Sequence, residues 1–161
     1  MTILDERFPS FEEMPLKLIA TDRQDLDVVS ALLQDALFAR LDLTYSESHR
    51  EMAILLNRFR WEMMPDAAPR RQKPERVRAV FLIRDVMALE SNLPARTVNT
   101  MPFSVLAIEF MPNEGCEGCL HIKLAGNWDI RATVECINLT LTDVTVPYAA
   151  PSGRIPAHHD R

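Results

Sequence analysis

Glycine is scarce in this sequence: only four of its 161 residues are glycines. They complete neither a G-x-G-x-x-G dinucleotide motif, nor a P-loop, nor the G-x-S-x-G elbow that presents a nucleophilic serine. The chain therefore lacks the local signatures of nucleotide-dependent enzymes and of serine hydrolases. Dispersed catalytic residues remain compatible with this composition, because a catalytic triad is defined by its geometry rather than by sequence order.

Long apolar runs are also missing, since nowhere do 18 uncharged apolar residues follow one another. The first 15 residues are acidic, so the sequence shows neither a signal peptide nor a membrane span. The three cysteines are an odd number, which disfavours a disulfide framework in a reducing compartment. We therefore expect a cytoplasmic protein with free thiols and no membrane partner.

The composition is that of an ordinary globular domain. Apolar residues make up 47% and charged residues 25% of a chain long enough to fold without a metal or a disulfide. The formal net charge of −5 disfavours nonspecific binding to nucleic acid, because such binding draws on lysine and arginine. We expect an extended acidic leader over residues 1–15, one domain over residues 16–146 and a proline-rich flexible tail over residues 147–161.

One helix is expected near the start of the domain. Leu26, Val29 and Leu33 recur at helical spacing, and Asp22 is a suitable N-cap for the helix that carries them. Residues 16–20 before it favour a short strand. Beyond residue 38 the apolar period changes to two, which predicts about six further strands in antiparallel arrangement.

A first hairpin is predicted between residues 40–45 and residues 52–64, on either side of a polar turn. In its second strand, the alternation of side chains predicts two faces. The inner face would carry Asn57, Phe59 and Trp61, and the outer face would carry Arg58 and Arg60.

Two later segments are predicted from their apolar patterns. Residues 76–90 are predicted to form one strand. The middle of this strand would carry apolar side chains on both faces, which indicates a central position in the sheet. Residues 137–144 change the parity of their apolar positions, which is typical of a bulge. A helix is the alternative for this segment, although its threonines favour a strand.

A second hairpin, over residues 119–136, has a predictable register. A two-residue turn at Gly126 and Asn127 would place apolar residues opposite charged ones, whereas a three-residue turn that also includes Ala125 would not. The three-residue loop, called the odd loop here because it has an odd number of residues, pairs Leu124 with Trp128, Lys123 with Asp129, Ile122 with Ile130 and Leu120 with Ala132. We therefore predict the odd loop.

The segment that contains Cys116, Cys119 and His121 is the one local pattern that suggests metal or thiol chemistry. Three ligands fall short of the four that a structural zinc site needs, and no second cysteine pair completes the shell. A Cys-X-X-Cys redox pair usually begins a helix, whereas this one precedes a strand. The register places Cys119 and His121 on the outer face and Cys136 on the inner face. We therefore expect three cysteines that do not converge, and no bound metal or cofactor.

Two basic segments are candidates for binding. The run from Arg70 to Arg78 could hold a phosphate-bearing ligand or RNA, but it lacks glycine-rich backbone and aromatic platforms, so a solvated linker is the competing interpretation. The string "NRFRWE" could line a pocket, or it could be a core strand with a hydrogen-bonded asparagine. The candidate binding residues are Asn57, Arg58, Arg60, Trp61, Arg70, Arg71, Lys73 and Arg76.

Four segments resemble the alphaproteobacterial family of unknown function designated DUF2948: "LKLIATDRQDLDVVSALLQDALF", "LLNRFRWE", "SVLAIEFMPNEG" and "IRATVECINLTLTDV". The resemblance spans about residues 15–145. It implies a single-domain cytoplasmic protein, often encoded near histidinol dehydrogenase, in a housekeeping setting with no assigned activity. The "CEGC" turn departs from the family pattern, which disfavours a metal site common to the family.

Together these features predict an α+β domain. We expect a curved, mostly antiparallel sheet or partly open barrel of about six to seven strands, packed with one long N-terminal helix and similar to pleckstrin-homology-like folds. The expected function is that of a noncatalytic adaptor or binding module for another protein or a small anionic ligand. The alternatives are a metal- or thiol-dependent enzyme that uses Cys116, Cys119 and His121, and a binder of nucleic acid or phosphate ligands through residues 70–78.

Overall fold

In the computed structural model, residues 15–63, 75–94, 100–145 and 148–149 are described. These residues form eleven strands and one α-helix. The strands are β1 (Lys17–Ala20), β2 (Leu37–Ala39), β3 (Leu43–Ser46), β4 (Glu51–Phe59), β5 (Glu75–Ile83), β6 (Val86–Ser91), β7 (Pro102–Pro112), β8 (Gly118–Leu124), β9 (Asp129–Val134), β10 (Leu139–Asp143) and β11 (Tyr148–Ala149). The helix α1 spans Arg23–Leu33, and two single-turn 3₁₀ helices span Arg40–Asp42 and Trp61–Met63.

All eleven strands belong to one sheet, and each pairing between them is antiparallel. The order along the sheet is β1-β10-β5-β4-β2-β7-β8-β9-β6, with β3 added beside β4 and β11 beside β5. Within the described ranges, β3 pairs only with β4 and β6 pairs only with β9, so each has an unpaired edge. The prediction of one domain with a mostly antiparallel sheet and a helix is confirmed.

Two details of the predicted architecture are wrong. The sheet has eleven strands instead of six or seven, because strands as short as β2 and β11 contain too few residues to show an alternating pattern. The helix is not the N-terminal element, since β1 precedes it, and its 11 residues make only three turns. Of the predicted leader, only Pro15 is among the described residues. Of the predicted tail, only the two residues of β11 are described.

The helix α1 begins where the sequence predicts it. The side chain of Asp22 accepts a hydrogen bond of 2.8 Å from the backbone N–H of Asp25, which satisfies one of the free donors of the first turn. The buried face of α1 carries Leu26, Val29, Leu32 and Leu33. It packs mainly against β7, where Ser30 Oγ accepts a hydrogen bond of 2.9 Å from the backbone N–H of Ile108. No helix in the described ranges has the length and apolar character needed to cross a membrane.

The hairpin of β8 and β9 has the predicted register. Leu120 lies opposite Ala132, Ile122 opposite Ile130, and Lys123 opposite Asp129. The backbone N–H of Leu124 donates to the carbonyl of Trp128, which closes the three-residue loop at 2.9 Å. Positive φ angles of 82° at Gly126 and 64° at Asn127 turn the chain there, and both residue types adopt this conformation readily. The odd loop is therefore confirmed.

The hairpin of β3 and β4 is confirmed, but the predicted faces of β4 are wrong. Met52, Ile54 and Leu56 are buried on the inner face together with Arg58. The alternate residues are half-buried, except for Phe59 at the end of the strand, which is also buried. An arginine in an apolar strand usually faces solvent, whereas Arg58 is paired with Asp143 inside the sheet. Arg60, which follows β4, is also buried.

Two other predicted segments have different outcomes. Residues 76–90 form two strands instead of one, because the chain turns at Arg84 and Asp85, where Asp85 has a φ of 57°. The first of them, β5, does lie inside the sheet, between β10 and β4. Residues 139–143 form the strand β10, so the strand interpretation is confirmed, and the buried residues Leu139 and Leu141 show the predicted odd parity.

Candidate functional site

An open cleft of about 600 Å³ lies between the edges of β3 and β6. Its walls come from Leu43 and Tyr45 on β3 and from Leu89 and Ser91 on β6, and the buried Ile130 of β9 also contributes. The cleft exists because these two strands occupy edges of the sheet and do not pair with each other. Its volume falls within the range of about 300–1,000 Å³ that is usual for small-molecule sites.

The 3₁₀ turn before β3 supplies the charged group of the cleft. Asp42 accepts a hydrogen bond of 2.8 Å from the backbone N–H of Ala39, which holds the turn and places Arg40 and Leu41 at the cleft. Arg40 is half-buried, and within the described ranges its guanidinium has no hydrogen-bond or ion-pair partner. The cleft therefore combines aliphatic walls, hydroxyl groups on Tyr45 and Ser91, and one unpaired positive charge.

No local pattern in the sequence indicates this cleft. Its lining residues come from the segments 40–45 and 89–91 and from Ile130, which are far apart in sequence. The alternation of Leu41, Leu43 and Tyr45 indicated a strand face, but nothing local to that segment indicates that β6 lies beside it. Only the complete order of the strands brings these residues together.

The candidate residue Arg58 lies in a buried ion-pair network. Its Nε and Nη2 donate to the two carboxylate oxygens of Asp143, each at 2.9 Å, and its Nη1 donates to Glu62 at 2.9 Å and to the carbonyl of Phe59 at 3.1 Å. Asp143 also accepts a hydrogen bond of 2.9 Å from the backbone N–H of Leu16. Desolvation opposes the charge of Arg58, but these hydrogen bonds outweigh it and raise the arginine pKa.

The neighbouring candidate binding residues also contact other residues of the same chain. Arg60 pairs with Glu75, and the guanidinium carbon of Arg76 lies 3.8 Å from the ring centroid of Phe59, in a cation–π contact. The indole Nε1 of Trp61 donates to the carbonyl of Gln34 at 2.8 Å.

Asn57 is half-buried, and its carbonyl accepts a hydrogen bond of 3.4 Å from Arg76. The candidates Arg70, Arg71 and Lys73 lie outside the described residues. A binding role for any of these residues stays a prediction. The predicted outward orientation of Arg58 and Arg60, by contrast, is wrong, because both arginines are buried. Arg58 pairs with the buried Asp143, and Arg60 pairs with the exposed Glu75.

Cys119 and His121 lie on the outer face of β8, as predicted. His121 Nε2 lies 2.7 Å from Asp129 Oδ2, and Arg131 Nε donates to the same oxygen at 3.0 Å. Partial desolvation alone would raise the pKa of Asp129, but these two hydrogen bonds lower it overall.

The thiol of Cys119 is not activated in this arrangement. It donates to the carbonyl of Leu120, and burial raises its pKa, which the nearby Arg131 offsets only in part. Among the residues that the structure describes, no group of three or more cysteine, histidine, aspartate or glutamate side chains could hold a metal ion. The predicted roles of Cys116, Cys119 and His121 in an enzyme stay a prediction.

All three cysteines are free; Cys116 is exposed, whereas Cys119 and Cys136 are half-buried. Cys119 lies on the outer face of β8, and Cys116 and Cys136 lie in the turn before β8 and the bend after β9. The neighbouring Cys116 and burial together raise the pKa of Cys136.

Comparison with known proteins gives one match. The model of the family described as "Protein of unknown function (DUF2948)" matches residues 16–158. No curated protein and no solved structure matches the chain.

Proposed function

Because the chain belongs to the DUF2948 family of proteins of unknown function, we propose a function for it from the geometry of its own residues. The protein is a noncatalytic binding module, and its cleft between β3 and β6 takes a small organic anion with an apolar body. A carboxylate with an aliphatic chain is the simplest member of this class.

The unpaired guanidinium of Arg40 beside aliphatic walls is the observation that supports this proposal most directly. An arginine favours a carboxylate partner, because its planar donors match the two carboxylate oxygens. The side chains of Leu43 and Leu89 offer apolar surface to the body of the same ligand. Arg40 is only half-buried, so its ion pair with a ligand is partly screened by water.

Isothermal titration calorimetry with decanoate, below its micelle concentration, tests the proposal. We expect saturable binding of decanoate and weaker binding of decanol, which has the same chain without the charge. A hydrogen bond to a charged group contributes about 1.5–3 kcal/mol. After a discount for the exposure of Arg40, we expect the substitution Arg40→Gln to weaken decanoate binding about tenfold.

Two further variants make the test specific to the cleft. Arg84→Gln removes an exposed arginine outside the cleft and should leave the affinity unchanged. Ser91→Trp adds a large side chain to an edge strand at the cleft and should abolish binding while the circular dichroism spectrum keeps its native form. Absence of saturable decanoate binding, or equal binding by wild type and by Ser91→Trp, would overturn the proposal.

The other predictions from sequence remain proposals. A role for residues 70–78 with nucleic acid or phosphate ligands is supported by two described arginines: Arg76, whose side chain contacts Phe59, and the exposed Arg78. An enzyme that uses the "CEGC" turn, a cytoplasmic location, a protein partner, and a pleckstrin-homology-like arrangement of the sheet also stay predictions.

A further inference from the structure

The free edge of β6 offers backbone hydrogen-bonding groups to the cleft. The backbone N–H of Asn92 donates to the carbonyl of Asp129 at 3.3 Å, so Asn92 turns its backbone groups toward β9. Residues of an antiparallel strand alternate in this respect, so Glu90 also turns toward β9, whereas Leu89 and Ser91 turn away from it. The N–H and C=O groups of Leu89 and Ser91 therefore point to the side on which β6 has no partner within the described ranges.

The side chains of β6 alternate in the same way. Leu89 and Ser91 are the residues with which β6 lines the cleft. Glu90 lies between them and points to the opposite face of the sheet. Its carboxylate is exposed, and among the described residues it has no hydrogen-bond or ion-pair partner. A chain that paired with β6 here would place alternate side chains in the cleft and the intervening side chain near Glu90.

We propose that the ligand of the cleft is the C-terminus of a peptide, which adds to the edge of β6 as a further antiparallel strand. This inference rests on the proposed function, because it names the class of carboxylate that Arg40 binds. The terminal carboxylate pairs with the guanidinium of Arg40. The last side chain is apolar and enters the cleft, and the penultimate side chain is basic and lies near Glu90. Backbone hydrogen bonds to β6 supply affinity, as in other complexes formed by strand addition.

Backbone groups and charge favour a peptide over other occupants of this edge. A fatty acid carries one carboxylate and cannot also satisfy the backbone groups of Leu89 and Ser91, whereas an extended peptide presents donors and acceptors at matching spacing. A second copy of this chain that paired through the same part of β6 would bring two Glu90 side chains together, and like charges opposite each other destabilise a strand pair. The formal net charge of −5 also opposes that association.

Fluorescence anisotropy with the peptide Ser-Val-Lys-Leu, labelled at its N-terminus and free at its C-terminus, tests this inference on the full chain. We expect saturable binding that decanoate displaces. The C-terminal amide of the same peptide should bind about tenfold more weakly. The acid and the amide should bind Arg40→Gln equally, because the carboxylate then has no partner. Replacement of the peptide's lysine by glutamate should weaken binding about threefold, and Glu90→Gln should remove that preference.

Methylation of the peptide backbone separates strand addition from simple anion binding, and it leaves the protein unchanged. A methyl group on the valine nitrogen removes a donor that faces β6, whereas the lysine N–H faces away from β6 and is the matched control. We expect the first methyl group to weaken binding about tenfold or more and the second to weaken it less than about threefold. Equal effects of the two methyl groups would overturn the inference.

Three further outcomes count against the inference. Decanoate binding without peptide binding contradicts it and leaves the proposed function in place. Peptide binding that decanoate does not displace places the peptide outside the cleft and also contradicts it. A stable dimer in analytical ultracentrifugation, together with no peptide binding, assigns the edge of β6 to a second copy of this chain instead.

Discussion

The ion pair of Arg58 and Asp143 should be the most sensitive polar contact in the fold. Arg58 is fully buried, and its partner on β10 lies on the far side of β5. The register places Asp143 beside Ala79 and Arg58 beside Val77, all on the inner face. The small side chain of Ala79 leaves room for the guanidinium to cross β5 and reach the carboxylate.

Replacement of Asp143 by alanine would leave the buried charge of Arg58 with only the partly exposed Glu62 as a counterion. Removing one partner of a buried ion pair costs about 3–5 kcal/mol. The substitution also takes away the acceptor of the Leu16 N–H at the start of β1. We therefore expect Asp143→Ala to lower the free energy of unfolding by about 3–5 kcal/mol, a large part of the total of about 5–15 kcal/mol for a typical domain.

Equilibrium unfolding in urea measures this change. With a slope of about 2 kcal/mol per molar urea, the midpoint should fall by about 2 M. Glu62→Gln is the matched control: it removes the other carboxylate partner of Arg58, but at a partly exposed position, so we expect a loss below about 1 kcal/mol. The double variant Arg58→Met with Asp143→Leu should be more stable than Asp143→Ala, because no charge remains unpaired. Equal losses for Asp143→Ala and Glu62→Gln would refute this reasoning.

Two further predictions concern β8 and β9. The lowered pKa of Asp129 stabilises the fold above the unfolded aspartate pKa of about 3.9, and this stability is lost as the pH falls through the lower folded-state pKa. The stability difference between wild type and Asp129→Asn should therefore shrink below about pH 4 in urea titrations, and a difference that stays constant there would contradict the assignment. Gly118→Ala should cost about 1–3 kcal/mol, because a Cβ atom at this position would overlap the ring of Phe110 and the backbone oxygen of Met111. Phe110→Leu should restore part of that loss, and additive losses in a double-variant cycle would contradict the proposed overlap.

The elements that were predictable from sequence are those whose determinants lie close together along the chain. The start of α1 depends on Asp22 and Asp25, three residues apart, and its buried face follows from local periodicity. The register of β8 and β9 depends on one loop, because any other loop length would place apolar residues opposite charged ones. Both predictions use interactions that span fewer than about 20 residues, so the order of the other strands does not affect them.

The inner face of β4 and the cleft depend on distant residues instead. Burial of Arg58 is possible only because Asp143, 85 residues later, supplies a carboxylate on the same face of the sheet. A periodic pattern that includes an arginine therefore has two consistent interpretations until that partner is known. The cleft likewise requires that β3 and β6 have neighbouring free edges, which follows only from the complete strand order.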